Sequence, residues 1–272
     1  MTIAGTDSGG GAGLAADLRT FAACGVHGCL AVTAVTVQNS LGVTGVHPIA
    51  AEMVAAQIES VATDIGLDAV KTGMLANFSI IEAVVTACDR IGIGARGLIP
   101  LVVDPVAASR HGDQLLADEA LAAIRTRLAP RATLITPNLD EVRLLVGVDV
   151  HDRAAQYEAA RQLHALGPRY VLVKGGHLRE DVDSCVDLLY DGNTFSELPG
   201  PRFDTHNTHG SGDSLSASIA SGLARGMTMP EAVALGKRYI VAAVRHSYSL
   251  GAGHGPVSPL WTVRPWWDDL TA

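Results

Sequence analysis

The sequence predicts an α/β fold: a single-domain, three-layer α/β/α sandwich around a mostly parallel sheet with an antiparallel edge. Three observations carry that reading. Short, continuously apolar, β-branched runs alternate with longer Ala- and Leu-rich segments of helical period, and strands apolar on both faces are strands covered on both sides, the condition of a parallel sheet. Glycines stand just past the helical segments, at Gly25, Gly92, Gly147 and Gly167, where a left-handed cap costs least for a residue without a Cβ. Polar groups interrupt the apolar runs almost only where a strand ends.

In order, the chain opens on strand-like Thr2-Ile3-Ala4, so abruptly that the start of that strand is expected ahead of it. A helix follows over 13–24, then an apolar run, 29–37, expected as one strand, and a helix over 51–64. Strands at 69–71, 101–103, 133–135 and 170–173 then alternate with helices over 78–91, 116–128 and 153–166. Asp191-Gly192, between strand-like 185–190 and 193–198, is a hairpin signal that adds the antiparallel edge. Helices over 214–225 and 230–247 complete the pattern. No repeat, low-complexity tract or linker divides it, so one domain over 1–272 is expected.

The composition narrows the partners. With 48% hydrophobic residues in 272 the chain can bury one large core, and a net charge of −8 opposes a nucleic-acid or anionic-membrane surface, since either partner calls for a basic patch. Any anionic ligand must be held locally. Cys24, Cys29, Cys88 and Cys185 show no C-x-x-C or zinc spacing and read as reduced thiols of a cytoplasmic protein. No apolar run approaches the length of a membrane span.

The polar strand ends are Asp7, Gln38-Asn39, Lys71 to Met74, Asp104, Asn138 and Lys174 to His177. All fall on one edge of the expected sheet, and in open α/β sheets ligands bind beyond the carboxyl ends of the strands. Thr208-His209-Gly210-Ser211-Gly212-Asp213 precedes a small-residue helix, which aims backbone N–H groups into an open loop and makes an anion site. Asp213 puts a carboxylate base beside it, the arrangement that activates a hydroxyl for phosphoryl transfer. Lys174 can neutralise transferred phosphate oxygens. Asn138 and Glu141 read both as a capping box and, with Asp104, as holders of magnesium waters. Asp17 lies on the apolar stripe of Leu14, Leu18 and Phe21, so it must face a ligand or a donor from the protein. Gly9-Gly10-Gly11-Ala12-Gly13 has neither dinucleotide-fingerprint nor Walker spacing. Lys237 alone reads as a solvated helix lysine. His111, in the polar loop 109–113, is placed on a flap over the site, and His177, His206 and His209 are given no role.

Taken together, Ala4 to Asp7 with Ser8 to Gly13 and Asp17, Thr33-Ala34 with Gln38-Asn39, Lys71 to Met74, Thr136 to Leu139 with Glu141, Lys174 to His177 and Thr208 to Gly212 resemble the hydroxymethylpyrimidine/phosphomethylpyrimidine kinases of thiamine biosynthesis, in the ribokinase-like superfamily. The match is ordered and spans residues 3 to about 258. The resemblance implies ATP with Mg²⁺, a homodimer, and two successive phosphorylations, of a hydroxymethylpyrimidine and then of its monophosphate. It makes Gln38 the pyrimidine-binding glutamine, with Gly5, Asp17, Met74 and Val106 completing that pocket. Asn138, Glu141 and Asp104 correspond to the Mg²⁺–phosphate network, Lys174, Thr208 and Lys237 to nucleotide contacts, and Gly210, Ser211 and Gly212 to the anion hole. There is one departure: many members of this branch carry cysteine where this chain has Asp213, whereas the wider superfamily uses aspartate as catalytic base. Pyridoxal kinase activity and a non-catalytic pyrimidine-binding role remain the rival expectations.

Overall fold

Residues 1–107, 116–176, 178 and 183–263 are described in a computed structural model. In chain order the elements are β1 (Thr2–Ala4), α1 (Gly13–Ala23), β2 (Leu30–Val32), β3 (Ala34–Asn39), β4 (Gly42–Pro48), α2 (Ala51–Asp64), β5 (Val70–Thr72), α3 (Phe78–Ile91), β6 (Leu101–Val103), α4 (Asp118–Ala123), β7 (Leu134–Ile135), α5 (Leu139–Val146), α6 (Arg153–Ala165), β8 (Tyr170–Val173), β9 (Asp187–Tyr190), β10 (Phe195–Leu198), α7 (Ser211–Ala224) and α8 (Met229–Arg245). Eight strands form one sheet in the order β10-β9-β8-β7-β6-β5-β1-β2. The run from β8 to β2 is parallel, and β9 and β10 add the antiparallel edge.

The alternation of side chains along each strand splits the core into two layers. Leu101 and Val103 of β6 point to a cluster with Val54 and Ile58 of α2, Ile81 and Val84 of α3, Val142 of α5 and Leu163 of α6. Val102 between them points the other way, with Leu134, Leu172 and Leu189, against Phe21 of α1, Leu215 and Ile219 of α7 and Val233 of α8. Every one of these is buried, and each such aliphatic side chain stabilises the fold by about 1.5–3 kcal/mol. This is the expected three-layer α/β/α sandwich.

Three elements differ from the sequence reading. The run 29–37 is not one strand: Thr33 breaks it, its hydroxyl donating to the Met74 carbonyl at 2.7 Å, and β3 leaves the main sheet to pair antiparallel with β4. The helix expected over 116–128 is α4 continued by a π-helical turn (Ile124–Leu128). The last small-residue helix begins at Ser211, not at 214, so Asp213 lies in its first turn. Gly92 and Gly147 take the left-handed caps expected of them, at φ 84° and 71°. Among the described residues no helix is long and apolar enough to cross a membrane. His177 and the loop 109–113 lie outside the described residues.

Candidate active site

The parallel strands deliver their following residues to one edge, and that is where the polar strand ends meet. The Asp7 carboxylate accepts from the N–H groups of Gly9 (2.8 Å), Gly11 (3.0 Å) and Ala12 (2.9 Å), folding the glycine loop around itself. His209 Nε2 sits 2.8 Å from Asp7 Oδ2 and 3.4 Å from Gln38 Nε2, so one imidazole joins the first loop, the hairpin and the approach to α7. Burial opposes ionisation of Asp7, but His209 and the loop N–H groups outweigh it and hold the carboxyl below its ordinary range.

Gly210 caps α7 in the left-handed conformation, φ 77°. A side chain there would collide with the Gly11 carbonyl, so glycine is needed both for the turn and for the close approach. The Ser211 N–H bonds the Thr208 carbonyl at 3.1 Å; those of Gly212 and Asp213 follow at the positive end of the helix, where an anion is favoured. Asp213 stands in that turn with its side chain 15% exposed, and Lys71 Nζ holds its Oδ1 at 2.9 Å. Burial penalises the charged carboxyl, yet the Lys71 ammonium and the Gly13 N–H more than offset it, so Asp213 titrates below the usual aspartate range.

Of the two partners expected for Asp17, a ligand or a donor from the protein, the structure supplies the second. It is fully buried in α1, with both oxygens held by Lys71 Nζ at 3.0 and 2.9 Å and Oδ2 also accepting from the Thr2 hydroxyl at 2.6 Å. The protein donor, not a pyrimidine, satisfies it, and it sits beneath the site rather than in its wall.

A second cluster borders the first. Lys174 Nζ lies 3.1 Å from Asp104 Oδ1 and 3.8 Å from Glu141 Oε2. A Cβ on Gly212 would stand 3.3 Å from both Asp104 Oδ2 and Lys174 Nζ, so this cluster touches the start of α7. Asn138 and Glu141 form the reciprocal capping box of α5, each side chain 2.8 Å from the other's N–H. Burial pushes the Glu141 carboxyl up to about 7, against the pull of Lys174. With Asn138 and Glu141 bonded to each other and Lys174 between the acids, Asp104, Glu141 and Asn138 do not make a bare inner ligand set. Among the described residues no three His, Cys, Asp or Glu are grouped to hold a metal. Their hard oxygens do suit Mg²⁺ that keeps its waters and meets the protein through them.

Of the residues expected around the pyrimidine, Gly5 and Met74 are neighbours. A Cβ on Gly5 would meet the Met74 methyl at 2.6 Å, and Thr33 ties Met74 to the hairpin. Gln38 is half-buried on β3 beside His209. Val106 is half-buried two residues beyond Asp104, its N–H bonded to the Asp104 carbonyl. Lys237 is drawn away from solvent: its ammonium is held by Asp187 Oδ2 at 2.8 Å and the Cys185 carbonyl at 2.9 Å, and Asp187 Oδ1 takes the Gly175 N–H. It therefore reaches the Lys174 loop only through Asp187. The sequence reading gave no role to His209, whose only local signal was its place next to Gly210, and none to Lys71 beyond its position at a strand end.

The comparisons with known proteins fit this geometry. The family model for phosphomethylpyrimidine kinase matches residues 7–258. A hydroxymethylpyrimidine/phosphomethylpyrimidine kinase of Mycobacterium leprae is 57% identical over 265 residues, covering 96% of this chain and 93% of that protein. The thiamine biosynthesis bifunctional protein of Geobacter sulfurreducens is 44% identical over 258 residues, 95% of this chain and 51% of that protein. Among solved structures, the ADP complex of Bacillus subtilis pyridoxal kinase superimposes with a TM-score of 0.85 at 38% identity, covering 94% of this chain and 95% of that one. A glycine-capped helix start with an acid in its first turn, bordered by two strand-end lysines and matched over nearly the whole chain by these relatives, leads to one statement: this chain belongs to the phosphomethylpyrimidine kinase family.

Proposed function

We propose that the protein phosphorylates the hydroxymethyl group of 4-amino-5-hydroxymethyl-2-methylpyrimidine with ATP, and then phosphorylates the monophosphate to the diphosphate, as a step of thiamine biosynthesis in the cytoplasm. The observation that carries the mechanism is Asp213, an ionised carboxylate in the first turn of α7, partly open to the site and fixed by Lys71. In the first reaction Asp213 takes the hydroxyl proton as the new P–O bond forms. The bond from the γ-phosphorus to the β–γ bridging oxygen breaks, and ADP leaves. Charge on the transferred oxygens is met by the Gly210 and Gly212 N–H groups and Lys174, the Ser211 N–H being taken by the Thr208 carbonyl. Asp104 and Glu141, with the Asn138 N–H setting the Glu141 side chain, would hold Mg²⁺ through its waters, and the ion would supply charge neutralisation of the phosphates. Thr208, in the same loop, is assigned to the nucleotide. Gln38, Gly5, Met74 and Val106 form the pyrimidine wall.

The two steps make unequal demands. An alcohol needs a base near neutral pH, whereas a phosphate monoester, with a second pKa of about 6, is already mostly dianionic. Asp213→Asn is expected to lower kcat for the alcohol by about 100-fold or more and for the monophosphate by less than about 5-fold. Equal losses, measured separately on the two substrates, would remove Asp213 as the base. The fold's likeness to a pyridoxal kinase supports a second reading. ATP consumption with the pyrimidine alcohol, its phosphate and pyridoxal, run side by side, separates the two.

We infer a homodimer from the hairpin. Val35 and Val37, on one face of β3, are 47% and 63% exposed, an apolar strand face left open to solvent. A second copy of the chain is the proposed cover.

A further inference from the structure

Among the described residues Lys71 is the largest fully buried side chain and the only lysine with none of its side chain exposed. It projects from β5 toward the layer of α1 and α7, where its three N–H donors meet two carboxylates: Asp17 through both oxygens, and Asp213 through Oδ1 at 2.9 Å. A structural role would be complete with Asp17 alone, which already pairs with the ammonium in both positions. Asp213 is the surplus acid. It leaves a buried cluster of one cation and two anions, and buried ion pairs return little stability for the desolvation they cost. Asp213 alone of the three opens to the site, with 15% of its side chain exposed against none for Lys71 or Asp17. Gly73, whose Cβ would stand 3.0 Å from Lys71 Nζ and 3.7 Å from Asp213 Oδ1, keeps the space between β5 and α7 clear for this contact.

Building on the assignment of Asp213 as base, we propose that Lys71 is a positioning residue for the first phosphorylation: it fixes the Asp213 carboxylate and keeps it ionised, while Asp17 anchors the ammonium from below and has no contact with the pyrimidine. The proton taken from the substrate hydroxyl rests on Asp213 and leaves to solvent after product release, so Lys71 and Asp17 exchange none. Lys71 then matters where Asp213 matters and nowhere else. Its removal should slow phosphorylation of the alcohol and spare that of the monophosphate.

The test is a mutant cycle measured on both substrates. Lys71→Met alone strands a buried Asp17 charge and can fail to fold, so the working variant is Lys71→Met with Asp17→Asn, which removes both charges together. Folding is checked by thermal melting and KM for ATP. The expected result is a fall in kcat for the alcohol of at least about 10-fold with less than about 3-fold change for the monophosphate. In an Asp213→Asn background the same pair of substitutions should change the alcohol rate by less than about 2-fold, because residues acting through one another are not additive. If the double variant melts early, Asp17→Asn alone, which leaves Lys71 on Asp213, should keep the monophosphate rate and raise the pyrimidine KM by less than about 2-fold. Equal losses on the two substrates, a full additional loss in the Asp213→Asn background, or a large KM increase from Asp17→Asn would each overturn the proposal. Wild-type protein inactive on both substrates would overturn the assigned reaction instead.

Discussion

Gln38 reaches the site from a strand tied to the first loop, where Thr36 bonds Thr6 through its N–H and its hydroxyl. The Gln38 backbone N–H donates to the Ser8 hydroxyl at 2.8 Å, and its side chain lies within 3.4 Å of both Thr36 and His209. An amide so placed can exchange hydrogen bonds with the edge of a heteroaromatic ring without disturbing the lysine–carboxylate clusters. Gln38→Ala should therefore raise the pyrimidine KM by about 10-fold, the cost of one lost hydrogen bond, with the ATP KM unchanged within about 2-fold. Steady-state kinetics with each substrate varied in turn checks this, and a matching rise in both constants would place Gln38 elsewhere. Some residue roles were legible locally and others were not. Gly210 and Asp213 declare themselves because a glycine-flanked helix start is a short-range pattern. Asp17 was legible as an anomaly on an apolar stripe, but its partner lies 54 positions away, and His209 and Asp7 are separated by 202. No local pattern encodes such pairings; the sheet edge creates them.

Among the elements, the strands of the main sheet could be read from apolarity because both of their faces are covered, and helix ends from glycines with nowhere else to go. The hairpin escaped for a physical reason. Val32, Ala34 and Val35 look like one continuous strand, and the break between them is made by a hydrogen bond from Thr33 to a carbonyl on the loop after β5. Once free of the sheet, β3 buries Ala34 and Thr36 and exposes Val35 and Val37. The exposed side is the surface on which the proposed dimer rests. Val37→Asp places a charge in the middle of that face and should weaken association while leaving the fold intact. Sedimentation across a concentration series is expected to show a dimer for the wild type and a monomer for the variant, and an unchanged distribution would move the interface elsewhere.

At the scale of the whole molecule, the acids of the site divide into two classes with opposite pH signatures. Asp17 and Glu141 are pushed up to about 7 by burial, so between about pH 4 and 7 the folded protein binds protons that the unfolded chain does not, and stability falls as pH rises through that window. Asp7 and Asp213 are held low by their cationic partners and N–H donors even though burial opposes it, so their contribution is lost only as pH falls below the ordinary carboxylate range. The Tm should peak at about pH 4, where the first pair is still protonated and the second still ionised, and decline toward pH 7. Calorimetry without ligand checks this; a Tm that climbs steadily from about pH 4 to pH 7 would contradict the burial of these acids. One strand also couples the two halves of the proposed biology. If, as proposed, Gln38 faces the pyrimidine and its neighbour Val37 the second copy, any factor by which docking of that copy tightens the pyrimidine is, by reciprocity, the factor by which the pyrimidine tightens the dimer.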